Sequence, residues 1–138
     1  MSTPQHAAST AKETVLVVGP QATHLNVLTR TLERKGCAVI RARGMEDWVL
    51  PLVRTVPIHL LFFDVEAEKG TYADLIEKLR REQRPTKIVV TSRLERMTDY
   101  LEAMQVGAYD FVSPPIEPGE VARLLHNTCA SPGGPQVI

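Results

Sequence analysis

"HLLFFDVEAEKG" runs from His59 to Gly70. Its first half is an unbroken apolar run, as in a strand buried on both faces of a sheet. The run stops at Asp64 and gives way to a short charged loop. Strands must end, and Asp is a good turn residue. A bare carboxylate at the tip of a buried strand is also where chemistry would sit. The rest of the chain decides between these readings.

Working outward, the same kind of strand recurs. "TVLVV" (Thr14 to Val18) and "TKIVVTS" (Thr86 to Ser92) are short, β-branched and apolar. "CAVIRA" (Cys37 to Ala42) and "AYDFVS" (Ala108 to Ser113) are two more strand candidates. Helical spacing fills the intervals. "THLNVLTRTLERKG" places Leu25, Leu28 and Leu32 on one face, with Gly36 as a stop. "MEDWVLPLVRT" is helical, but Pro51 should bend or shorten it. "TYADLIEKLRRE" turns Leu75, Ile76 and Leu79 inward and ends before Pro85. "RLERMTDYLEAMQVG" ends at Gly107, and "EPGEVARLLHNTC" carries Pro118 near its start. Five strands alternating with five helices predict an α/β fold, a parallel sheet with helices on both faces. Ligands and chemistry then sit at the carboxyl ends of the strands, which is where Asp64 lies.

The 138 residues make one domain. Residues 1–12 read as a disordered lead, 13–128 as the domain, and 129–138 as a Pro/Gly-rich tail or linker. With 16 basic and 16 acidic residues the net charge is zero, which argues against a nucleic-acid or membrane surface. There is no apolar leader and no run of membrane-spanning length, so a cytoplasmic protein is expected. Cys37 and Cys129 match no metal or redox spacing and read as reduced thiols. The four histidines (His6, His24, His59, His126) are scattered, beside no acid or cysteine cluster that reads as a metal site. "VLVVGPQ" lacks the G-x-G-x-x-G of a dinucleotide turn. No arrangement of an enzyme nucleophile and base stands out.

Taken in order, "LLFFD", "IVVTS" and "GAYDFVSPP" resemble the response-regulator receiver domain of two-component signalling. The resemblance covers about Glu13 to Thr128. It implies a flavodoxin-like three-layer sandwich with strand order 2-1-3-4-5. It maps the family's phospho-acceptor aspartate onto Asp64, its phosphoryl-contacting hydroxyl onto Thr91, its switch aromatic onto Phe111 and its conserved proline onto Pro115. It implies a protein partner, a histidine kinase or an output domain. It also implies a dimer or partner face on the fourth helix, fifth strand and last helix: Arg96, Asp99, Tyr100, Ala103, Met104, Asp110 and Arg123.

The departures fall on the chemistry. The family's acidic pair that holds Mg²⁺ corresponds to Gly19 and Pro20, and its lysine to Pro114. The loop after Asp64 is shorter than the family's and lacks its Met-Pro pair. Mg²⁺ needs oxygen ligands in octahedral geometry, usually including carboxylates. Phosphoryl transfer rests on neutralising the equatorial oxygens. The expectation is a degenerate receiver that uses no metal or other cofactor, has no enzyme activity and works by protein contact. A phospho-acceptor using Glu66 or Glu68 as replacement ligands, and a nucleotide- or metabolite-binding module, are the alternatives. Without a metal or lysine, Asp64 must sit in solvent, accept backbone N–H bonds, or titrate upward if buried. Pro114–Pro115 is either a cis bond or a plain rigid corner.

Overall fold

A computed structural model describes residues 12–94 and 96–129. Residues 1–12, expected to be a disordered lead, and 129–138, expected to be a tail or linker, fall almost wholly outside the described residues. Five strands and five helices alternate: β1 (Thr14–Val18), α1 (Thr23–Arg34), β2 (Ala38–Ala42), α2 (Val49–Thr55), β3 (Ile58–Asp64), α3 (Tyr72–Arg81), β4 (Lys87–Thr91), α4 (Met97–Gln105), β5 (Asp110–Val112) and α5 (Pro118–Thr128). All strand pairs are parallel, in the order β2-β1-β3-β4-β5.

The two-residue period of a strand sorts the core into two layers. Leu16, Val18, Leu61, Phe63, Ile88 and Val90 face α2, α3 and α4, meeting Val49, Val53, Leu75, Ile76, Leu79 and Ala103. Val15, Val17, Leu60, Phe62 and Val89 face α1 and α5, meeting Leu25, Leu28, Leu32, Val121 and Leu124. β3 is the central strand, and both of its phenylalanines are buried, one in each layer. That explains its unbroken apolar run.

Two helices start later than their sequence patterns do. α2 begins at Val49 rather than Met45, and Pro51 lies in its first turn. A helix lacks partners for its first amides anyway, so the proline costs nothing there and the helix is short instead of kinked. α4 begins at Met97 rather than Arg93, leaving Arg93 and Leu94 in the loop at the end of β4. Gly36, after α1, has φ of +93°, a left-handed conformation that favours glycine. α3 starts on Thr71, whose Oγ1 accepts the Asp74 amide at 3.1 Å. Thr71→Ala should lower stability by about 1 kcal/mol, read from the urea midpoint.

Cys37 and Cys129 are free, buried and in the same core layer. Burial pushes both thiols up from the ordinary value of 9.0; for Cys37 the nearby Cys129 adds to this. In the unfolded chain they would ionise first. Their contribution to stability is therefore complete below pH 9.0 and is lost as pH rises beyond it. Urea titrations at pH 8 and above 9 should show that decline, and Cys37→Ser should reduce it.

Candidate functional site

Asp64 shares the strand period of Leu60 and Phe62, so its side chain falls on the face covered by α1. Register places Thr91 directly beside it, at the end of β4. The loop from β1 to α1 is short, which sets the first turn of α1 over the end of β3. His24 is in that turn.

These constraints converge on the Asp64 carboxylate, which is only 1% exposed. His24 Nε2 lies 2.7 Å from Asp64 Oδ2. Thr91 Oγ1 donates to the same oxygen at 2.8 Å. The Glu66 amide donates to Oδ1 at 2.9 Å. An ionised carboxylate only accepts, so Nε2 of His24 is the donor in this pair. The His24 side chain is 8% exposed. From sequence, Asp64 has neither a metal nor a lysine to pair with; the structure gives it a histidine from forty residues away. The sequence reading missed it by looking for acids near each histidine along the chain.

The rest of the strand-end region is occupied as well. A Cβ built on Gly19 would lie 2.7 Å from Asp64 Cβ and 2.5 Å from Leu25 Cδ1. The backbone of β1 therefore approaches Asp64 too closely for any side chain at position 19. The Pro20 carbonyl accepts from Arg41 Nη2 at 3.2 Å, and Arg41 also donates to Asn26 at 3.1 Å. Burial lowers the Arg41 pKa from its ordinary value. Glu66 accepts from Arg93 Nη2 at 2.7 Å, and Glu68 from Arg43 Nη1 at 3.2 Å. The hydrogen bond to Glu66 raises the Arg93 pKa first of all, and the charge of Asp64 adds to it. Arg93 thus brings a cation toward the acceptor from β4, while Pro114 brings none. The Pro114–Pro115 bond is cis.

Phe111 is half-buried and packs edge-to-face on Tyr100, with ring centroids 6.1 Å apart. Arg96, Met97, Tyr100, Phe111 and Ser113 line a pocket of about 300 Å³. Of the expected interface residues, Ala103 must be withdrawn: it is 0% exposed, wedged between α4 and the sheet. Met104 is partly buried against the same core layer. Arg96 pairs with Asp99 at 2.9 Å and Arg123 with Asp110 at 3.1 Å. The surface carries more apolar area than expected, because Leu94, Met97, Tyr100 and Leu101 are all exposed.

A parallel sheet in this order is the flavodoxin-like arrangement, and Asp64 and Thr91 end side by side at its carboxyl edge, where such folds carry their sites. The profile of the response regulator receiver domain matches residues 15–126, and the chain belongs to that family. It is a receiver domain of two-component signalling. It is similar to the photosynthetic apparatus regulatory protein RegA of Rhodovulum sulfidophilum, 29% identical over 123 residues, 88% of this chain and 67% of that protein. It is also similar to the acid tolerance regulatory protein ActR of Rhizobium meliloti, 23% identical over 113 residues, 82% of this chain and 58% of that protein. The chain thus spans roughly three fifths to two thirds of these relatives' length. Among solved structures, a response regulator from Thermotoga maritima superposes with a TM-score of 0.70 at 27% identity, over 88% of this chain and all of the other. A receiver protein from Pseudomonas putida gives 0.68 at 27% identity, over 85% and 98%. No helix among the described residues is long and apolar enough to cross a membrane.

The family resemblance implies Mg²⁺ at this strand end, and the donor set does not suit it. Position 19 has no room for a carboxylate, Pro20 offers only a carbonyl that Arg41 holds, and both oxygens of Asp64 accept protein hydrogen bonds. Glu66 and Glu68 are each paired with an arginine.

Proposed function

We propose that this is a degenerate receiver that signals by protein contact, without Mg²⁺-dependent phosphorylation of Asp64 and without catalytic activity of its own. One observation carries the reading: Asp64 Oδ2 accepts from both His24 and Thr91, at 2.7 and 2.8 Å. Mg²⁺ and a lysine would neutralise the acceptor in a phosphorylating receiver. Here an imidazole and a hydroxyl hold that position instead. To attack phosphorus, Oδ2 would have to give up two buried hydrogen bonds, and no carboxylate stands ready to recruit a metal in exchange. Thr91 is thereby tied to Asp64 without any phosphoryl group between them. Titration with Mg²⁺ by calorimetry tests this: no saturable heat is expected at millimolar metal, and a stoichiometric site would sink the reading.

The contact surface of this reading is the α4–β5–α5 face without Ala103. Exposed Met97, Tyr100 and Leu101 supply the apolar anchors, and the Arg96–Asp99 and Arg123–Asp110 pairs form its polar rim. A second copy of the chain or an output partner would bind there. Leu101 is 54% exposed, so Leu101→Asp should change stability by less than about 0.5 kcal/mol. The same variant should abolish any concentration-dependent self-association in sedimentation. Self-association that survives the change would place the dimer elsewhere.

A further inference from the structure

A second cleft, of about 380 Å³, opens beside the acceptor between the first turn of α1, the Arg93 loop and the cis-proline loop. Its walls are mostly apolar: Ala22, Val27, Leu28, Pro114, Pro115 and Ile116. Its polar groups are Thr23, His24 and Arg93, and none of the described residues lining it is acidic. α1 begins there without a side-chain cap and without an acid of its own in its first turn. Val27 is 44% exposed on the cleft wall, an apolar surface nothing else in the described chain covers.

We propose that this cleft binds a small organic anion, an apolar body carrying one carboxylate or phosphoryl group, and that occupancy is transmitted to Asp64. Charge selects the ligand: a guanidinium and an imidazole meet an apolar trough whose described lining residues include no acid. The volume lies at the lower end of small-molecule sites, about 300–1,000 Å³, which fits a single ring with its acid group. Transmission follows from what the two basic side chains do in the empty cleft. Arg93 holds Glu66 at 2.7 Å and His24 holds Asp64 at 2.7 Å. An anion in the cleft competes with Glu66 for Arg93 and with Asp64 for His24. One ligand therefore loosens Asp64 at the end of β3 and Glu66 in the loop after it, and frees Thr91 to reorient. The proposal rests on the His24–Asp64 contact of the preceding section, not on whether Asp64 can be phosphorylated.

Titration of ¹⁵N-labelled protein with phenyl phosphate, benzoate and inorganic phosphate tests it. Saturable shifts are expected at the amides of Thr23, His24, Val27, Arg93 and Ile116, with smaller ones at Asp64 and Glu66. The two aromatic acids should bind at least tenfold more tightly than inorganic phosphate, and the stronger of them tells a phosphoryl from a carboxylate site. Arg93→Ala should weaken binding at least tenfold. Arg43→Ala, which also loses a loop glutamate but lies outside the cleft, should leave it unchanged. Absence of saturable shifts at millimolar ligand overturns the proposal, as does binding that Arg93→Ala does not affect. Either failure leaves the Asp64 reading standing, because that reading is tested separately by metal binding and phosphorylation.

Discussion

Replacing His24 by alanine is expected to lower the stability of the domain by about 3 kcal/mol. A hydrogen bond to a charged group contributes roughly 1.5–3 kcal/mol, and stripping one partner from a buried pair costs up to about 5 kcal/mol. Asp64 would keep Thr91 and the Glu66 amide, which is why the loss stays below that upper figure. A urea titration of His24→Ala reads the effect. Combining it with Asp64→Asn closes a double-mutant cycle. The two changes should be non-additive by roughly 1–3 kcal/mol, because the second removes the charge that the first leaves stranded. Strict additivity would mean that the contact contributes nothing.

Restoring the family's acid at the end of β1 should fail, and at similar cost. Gly19→Asp places a Cβ 2.7 Å from that of Asp64 and 2.5 Å from Leu25 Cδ1. The tip of Leu25 can rotate away, but Asp64 is fixed by three hydrogen bonds. Overpacking of this kind costs about 1–3 kcal/mol, and a second carboxylate beside Asp64 adds like-charge repulsion. A loss of about 3 kcal/mol or more is expected, with no gain of Mg²⁺ affinity. Gly19→Ala separates the terms: it should carry the steric part, about 2 kcal/mol, without the repulsion. If Gly19→Asp instead folds normally and binds Mg²⁺, the close approach of β1 to Asp64 is not a barrier to the metal.

The fold was legible because β-branched apolar runs and leucine spacing alternate without ambiguity. The site was legible in part. Asp64 and Thr91 could be paired from sequence, since both end central parallel strands. His24 was not found, because a partner was sought nearby in the chain. Two features already in the sequence pointed to it: the strand period puts Asp64 on the same face as Leu60 and Phe62, and only a short loop separates β1 from the histidine. Gly19 read as a missing carboxylate. Its closeness to Asp64 depends on backbone separation, which no pattern of residue types encodes. Ala103 was misplaced because a small residue on a mixed helix suits an open surface and a tight helix–sheet contact equally well. The helix starts at Val49 and Met97 were misjudged because apolar spacing continues through the loops that precede them.

The most direct test of the central claim is the intact mass of the protein after incubation with Mg²⁺ and acetyl phosphate, beside an ordinary receiver and the Asp64→Asn variant. The account predicts an unchanged mass under conditions that phosphorylate the ordinary receiver. A phosphoryl-sized gain that disappears in Asp64→Asn would contradict it, and would mean that His24 and Thr91 release the carboxylate for attack.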